Sequence, residues 1–173
     1  MVTVTSNFSG HKNINLLLKA VKQYQEKYDE NFNLLIIGGD RKANRIGIIR
    51  NYIKKEGIKN VTITGLMNKK DVNSNLIKCK LFISTSLLES FSLTQFEALN
   101  CNIPIILSDI PIFREVCGNF NIYFNPNNPE NIADKIHDVF ENYEYYYNLI
   151  PKIRKYASKF TWENHAKKLI EIF

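Results

Sequence analysis

The chain has 173 residues and a formal net charge of +6, and its 45% hydrophobic and 23% charged content is ordinary for a globular domain. It contains no apolar run long enough to cross a membrane, its first residues do not resemble a signal peptide, and three widely spaced cysteines argue against a disulfide framework or a zinc site. We therefore expect a cytoplasmic protein whose positive charge favours anionic partners: nucleic acid, phosphorylated small molecules, or an acidic lipid surface contacted peripherally on the cytoplasmic membrane face.

Short apolar runs alternate with segments of helical spacing along the chain. The apolar runs predict six strands, at 2–5, 33–37, 61–64, 81–85, 103–107 and 121–124. The segments between them predict helices at 13–28, 43–56, 69–78, 93–101, 112–116 and 129–140. Because several runs are continuously apolar, both faces of the strands should be buried, which is typical of a parallel sheet covered by helices. The alternation predicts one doubly wound α/β domain spanning residues 1–173.

The last third of the chain is rich in Tyr, Lys and Asn and predicts terminal helices over about 144–173 that pack on the domain. Thr161 should cap the last of them, and Trp162 should anchor it by burial.

Two carboxylates, Glu89 and Glu97, lie on either side of a predicted helix start. Glu89 follows the strand at 81–85, and ligands of doubly wound folds bind at the carboxyl ends of strands. Residues 90–92 (SFS) then lead into a helix, whose N-terminal N–H groups favour a phosphate. Glu97 lies within that apolar helix, where a carboxylate is costly unless it accepts hydrogen bonds, for example from a pair of sugar hydroxyls. The alternatives are a surface glutamate or a pair with a nearby lysine.

Lys12 and His11 follow the first strand and precede its helix. A lysine at a helix start opposes the helix dipole unless an anion balances it, which makes Lys12 a candidate phosphate ligand. The alternative is a solvated lysine. His11 is a candidate donor to the same phosphate, and the alternative is a structural or exposed histidine.

Other common sites are missing from the sequence. The residues at 38–40 (GGD) do not form the dinucleotide-binding fingerprint, and there is no phosphate-binding P-loop or serine-hydrolase elbow. His11, His137 and His165 are too far apart to suggest a metal site, and aromatic residues do not interleave with basic ones along a strand. We therefore expect no metal, no cofactor and no nucleic acid.

Together these stretches resemble the C-terminal, nucleotide-sugar-binding domain of retaining glycosyltransferases with the GT-B fold, the group 1 or family 4 type. Glu89 and Glu97 are similar to the E-x7-E motif of that group. The stretch at 84–93 (STSLLESFSL) resembles P-S-x-x-E-G-F-G-L, and the stretch at 97–106 (EALNCNIPII) resembles E-A-M-A-x-G-x-P-V-I. Further similar segments are Lys12-Asn13, FREV at 113–116 and TWE at 161–163.

The resemblance implies a Rossmann-like parallel sheet of about six strands with helices on both faces, one half of a GT-B fold. Glu97 would accept hydrogen bonds from the ribose of a UDP or GDP sugar, and Glu89 would contact hydroxyls of the transferred sugar. Lys12 would neutralise the diphosphate and stabilise the leaving group without a metal. The other implied donor-binding positions are Phe91, Ser92, Leu93 and Thr94, through their backbone N–H groups, with Gly38, Leu66, Met67, Asn7 and His11.

The chain departs from the family pattern at several positions. Asn7 stands where many members have arginine, so either one phosphate-binding cation is missing or His11 or Lys42 compensates for it. Ser90 and Ser92 replace the glycines of E-G-F-G. Asn102 replaces a later glycine, and asparagine is the residue that next best tolerates a left-handed backbone.

The resemblance also implies an N-terminal domain that would hold the acceptor, a glycan, lipid or protein, and we expect that domain to be absent from this chain. The chain alone should then bind a nucleotide sugar weakly and transfer nothing. Three alternatives remain open at this point: a degenerate module that only binds nucleotide sugars, a GT-B-fold sugar-nucleotide epimerase, and a nucleic-acid-binding domain suggested by charge alone.

Overall fold

A six-stranded parallel sheet forms the centre of the computed structural model, which describes residues 2–5, 8–39 and 44–171. The strands are β1 (Val2–Thr5), β2 (Leu34–Ile37), β3 (Val61–Ile63), β4 (Leu81–Ser84), β5 (Ile105–Ser108) and β6 (Ile122–Phe124). Their order across the sheet is β3-β2-β1-β4-β5-β6, and every neighbouring pair is parallel. The chain winds outward in one direction from β1 to β3 and in the other from β4 to β6, so the predicted doubly wound α/β fold is confirmed.

The strands are buried on both faces, as their continuous apolar sequences predict. Along β2, Leu34 and Ile36 belong to one core cluster, and Leu35 and Ile37 belong to the cluster on the opposite face. β5 begins two residues later than predicted. Pro104, just before it, has no N–H to donate, although its carbonyl accepts a hydrogen bond from the Phe82 N–H at 3.0 Å.

Eight α-helices are found in the described part of the chain. They are α1 (Ile14–Lys27), α2 (Arg45–Lys55), α3 (Lys69–Leu76), α4 (Thr94–Asn100), α5 (Pro111–Cys117), α6 (Pro129–Glu141), α7 (Tyr143–Ala157) and α8 (Trp162–Ile170). Residues of α1, α2 and α6 belong to the core cluster on one face of the sheet, and residues of α3, α4, α5 and α7 belong to the cluster on the other. None of these helices has the length and apolar character needed to cross a bilayer.

The two C-terminal helices differ in how they meet the domain. α7 buries Ile150 and Ile153, and its Arg154 donates to the Leu99 carbonyl and to Asn102 Oδ1 at the end of α4. α8 has no buried residue. Its start is capped as predicted, because Thr161 Oγ1 accepts from the Asn164 N–H at 3.1 Å.

The prediction that Trp162 anchors α8 by burial is wrong. The residue is 88% exposed, because α8 projects its residues into solvent rather than onto the core. The amphipathic spacing that favours a helix does not by itself provide a surface for the helix to pack on.

Left-handed backbone precedes α4 and follows it. Ser92 has φ +61° and Asn102 has φ +57°, so both replacements for family glycines still adopt the conformation that glycine favours. In Ser92 this conformation crowds the β-carbon against the backbone, at a cost of about 1 kcal/mol. Ser90 is not among the residues with positive φ.

We expect Trp162→Ala to change the free energy of unfolding of this chain by less than about 0.5 kcal/mol, because the indole removes little surface from water. Phe82→Ala, in the fully buried β4, should instead cost about 3–5 kcal/mol. Urea denaturation of both variants measures the contrast, and a Trp162 variant as unstable as the Phe82 variant would contradict the exposed position of α8.

We expect Ser92→Gly to raise the free energy of unfolding by about 0.5–1 kcal/mol, because glycine relieves the left-handed strain. Ser90→Gly is the matched control: without strain to relieve, it should lower stability by about 0.5 kcal/mol through the unfolded state. Urea denaturation measures the free energy of unfolding of both variants. Equal changes in the two variants would contradict a left-handed backbone at residue 92.

Candidate functional site

The loops that follow β1 and β4 meet at the carboxyl edge of the sheet, where the strand order reverses. The Leu87 N–H donates to the His11 carbonyl at 2.7 Å, and Thr85 Oγ1 donates to the Lys12 carbonyl at 2.9 Å. These two bonds fix the short 3-10 turn Gly10–Lys12 against the residues after β4. The edge is the position at which doubly wound sheets bind ligands.

An ion pair joins the two loops. Lys12 Nζ donates to Glu89 Oε1 at 2.5 Å, and the two side chains are only 17% and 9% exposed. The alternative of a solvated Lys12 is therefore wrong. The sequence marked both residues as candidates, but their direct contact across 77 positions depends on β1 and β4 being neighbours in the sheet.

Ser86 also contacts Glu89 and was not recognised as a site residue from the sequence. Its hydroxyl donates to Glu89 Oε1 at 2.6 Å. The available signal is its place three residues before Glu89, where the family stretch P-S-x-x-E also has a serine.

Glu97 lies half-buried on the first turn of α4. Over residues 2–5, 8–39 and 44–171, no donor comes within hydrogen-bond distance of its carboxylate, so the alternative of a nearby lysine partner is not observed there. Burial raises the pKa of the Cys101 thiol, and the negative charge of Glu97 raises it further. A half-buried, unpaired carboxylate is suited to accept hydrogen bonds from a ligand.

The backbone at the start of α4 offers donors next to these carboxylates. No side chain caps the helix, and the N–H groups of Ser92, Leu93 and Thr94 have no acceptor among the described residues. The Phe91 ring packs on Phe96 at 5.4 Å between centroids, which holds the loop in place. Uncapped N–H groups at a helix start can donate to an anion.

A second group of candidates lies at the ends of β2 and β3. Gly38, at φ +126°, donates its N–H to the Gly65 carbonyl at 3.1 Å and so joins the two strand ends. Leu66 and Met67 follow directly and are exposed there. This group is on the same edge of the sheet as Lys12 and Glu89. It follows β2 and β3, whereas Lys12 and Glu89 follow the next two strands across the sheet, β1 and β4.

Three further candidates are His11, Asn7 and Lys42. His11 is exposed, and its Nε2 lies 3.2 Å from Ser9 Oγ. Asn7 and Lys42 lie outside the described residues, so their predicted roles in phosphate binding stay predictions.

Known proteins are similar to this chain in sequence and in fold. A family model described as glycosyl transferases group 1 matches residues 1–156. The chain is 27% identical over 154 residues to the O-antigen chain mannosyltransferase RfbU of Salmonella typhimurium, covering 89% of this chain and 41% of that protein. It is 25% identical over 158 residues to an uncharacterized glycosyltransferase of Methanocaldococcus jannaschii, covering 90% of this chain and 42% of that protein.

Among solved structures, Anabaena HepE in complex with UDP-glucose superposes with a TM-score of 0.80 at 19% identity, over 91% of this chain and 43% of that one. This likeness concerns the fold. The chain thus spans about two fifths of the length of these relatives. Since the family model covers most of its length, the chain belongs to the group 1 glycosyl transferases.

Proposed function

We propose that this chain is the donor-binding part of a retaining glycosyltransferase, which binds a nucleoside-diphosphate sugar for transfer to an acceptor. The observation that carries the proposal is the part-buried Lys12–Glu89 ion pair at the reversal point of the sheet, beside the uncapped start of α4. A cation, a carboxylate and free N–H groups at one edge match a ligand that has both phosphates and hydroxyls.

The diphosphate is assigned to Lys12 and to the backbone of residues 92–94. An ammonium has three donors, so Lys12 can keep its bond to Glu89 Oε1 and still donate to a phosphate oxygen. When the bond between the sugar and the diphosphate breaks, its electron pair stays on the diphosphate. Lys12 and the N–H groups then stabilise the added negative charge electrostatically.

Sugar and ribose hydroxyls are assigned to the two glutamates. Glu89 is held at the edge by Lys12 and Ser86, in a position to accept from hydroxyls of the transferred sugar. Glu97 is half-buried without a described partner, and a ribose diol would supply the two hydrogen bonds that its carboxylate lacks. Leu66 and Met67, exposed beyond β3, are assigned to the base.

The relatives support the ligand class and suggest the reaction. HepE is solved with UDP-glucose, and RfbU is named a mannosyltransferase, so we propose a UDP or GDP hexose as donor. The acceptor, a glycan, lipid or protein, would be held by a part of the enzyme outside this chain.

A degenerate module that only binds nucleotide sugars is the second candidate. The serines that replace the family glycines suggest it, but Ser92 keeps the left-handed backbone of the loop at φ +61°. Because the loop conformation survives the replacement, the active transferase is the better supported proposal.

Calorimetric titration tests donor binding. We expect saturable binding of at least one of UDP, GDP and their glucose and mannose derivatives, and we expect Glu97→Ala to weaken it about 10- to 100-fold through lost hydrogen bonds to a charged acceptor. Glu144→Ala is the matched control, because Glu144 is an exposed glutamate of α7. Failure of every nucleotide to bind, with salt-sensitive RNA binding instead, would overturn the proposal in favour of nucleic acid.

A further inference from the structure

Two buried serines lie directly beneath the Lys12–Glu89 pair. Ser84 Oγ donates to Ser86 Oγ at 3.3 Å, and Ser86 Oγ donates to Glu89 Oε1 at 2.6 Å. Both serines are almost fully buried, at 5% and 2% exposure. Water therefore does not compete for these hydroxyls, and each hydrogen bond strengthens the next in the series.

The direction of these hydrogen bonds makes Ser86 a donor to Glu89. The Ser86 oxygen receives the hydrogen bond from Ser84, and its own O–H points to the carboxylate. A donor to an ionised acceptor forms a short, strong hydrogen bond, which agrees with the separation of 2.6 Å.

Both partners of Glu89 use the same oxygen. Lys12 and Ser86 bind Oε1, whereas Oε2 has no donor among the described residues and is not one of the buried atoms without a partner. Of the two partners, only Ser86 has a short, buried side chain, and it lies two residues after the end of β4. The lysine side chain is long and has its own role toward the diphosphate.

We propose that Ser86 is a positioning residue, which holds Glu89 Oε1 so that Oε2 stays directed at the sugar hydroxyls while Lys12 serves the diphosphate. The inference rests on the proposed function and assigns a specificity role within it. Ser86 does not touch the donor; it acts through Glu89. The affinity that the sugar adds to the nucleotide should therefore depend on Ser86, and the affinity of the nucleotide alone should not.

The test compares calorimetric affinities for a nucleoside diphosphate and for its sugar derivative, using the UDP, UDP-glucose, GDP and GDP-mannose pairs. In Ser86→Ala we expect the ratio of sugar-nucleotide to nucleotide affinity to fall about 5- to 10-fold, as for loss of a hydrogen bond to a charged group. The affinity for the nucleotide alone should change less than about twofold. Ser108→Ala is the control, because Ser108 is also buried but donates to the Ser84 carbonyl and not to Glu89.

A double-mutant cycle separates positioning from general loosening. In a Glu89→Ala background, Ser86→Ala should leave the ratio unchanged, since no side-chain oxygen remains at residue 89 for Ser86 to hold. If Ser86→Ala does not fold, Ser86→Cys preserves the side-chain shape with a weaker donor and should lower the ratio in the same direction.

The outcomes distinguish this inference from the proposed function. If the wild-type chain binds a sugar nucleotide and the Ser86 variants keep its ratio, Ser86 does not position Glu89 and the proposed function stands. An equal fall in Ser108→Ala, or an undiminished fall in the Glu89→Ala background, also overturns the positioning role. If the wild-type chain binds none of the four ligands, the proposed function is overturned and this inference with it.

Discussion

The ion pair between Lys12 and Glu89 is the contact on which the site depends. It joins the loop after β1 to the loop after β4, the first strands of the two halves of the sheet. The contact exists because β1 and β4 are neighbours. With side chains only 17% and 9% exposed, the pair gives up much of its hydration, and removing either partner would leave a poorly solvated charge. The hydrogen bonds from Leu87 and Thr85 to the Gly10–Lys12 turn hold the loops close enough for the pair to form.

Around this pair, the sheet edge combines groups of opposite electrostatic character. The cation and the uncapped N–H groups before α4 favour phosphate, whereas Glu89 and Glu97 favour hydroxyls. A carboxylate so near the proposed phosphate site is tolerable because Lys12 pairs with it and the Ser86 hydroxyl donates a hydrogen bond to it. In the proposed function only Glu89 would distinguish a nucleotide sugar from a nucleotide, because it is assigned to hydroxyls of the transferred sugar. Glu97 is assigned to the ribose, which both ligands carry.

Local sequence patterns were sufficient for the fold and for naming the main candidates. Continuous apolar runs such as Leu34–Ile37 indicate strands buried on both faces. Glu89 is a candidate because it follows a strand, and Glu97 because it lies in the apolar helix that comes next. The contact of Lys12 with Glu89 could not be read locally, because it depends on strand order. Ser86 was missed because a buried serine has no periodic signature. Trp162 was wrongly assigned to the core because apolar character does not reveal whether a helix has a surface to pack on.

Amide chemical-shift mapping by NMR during titration with nucleotides and nucleotide sugars tests the central claim most directly. If the edge built around Lys12 and Glu89 is the donor site, the largest changes should cluster in the Gly10–Lys12 turn, in residues 86–97 and near Gly38 and Leu66. Sugar derivatives should add changes around Glu89 that the bare nucleotide does not cause. Changes confined to α8, or spread evenly over the basic surface, would contradict the account.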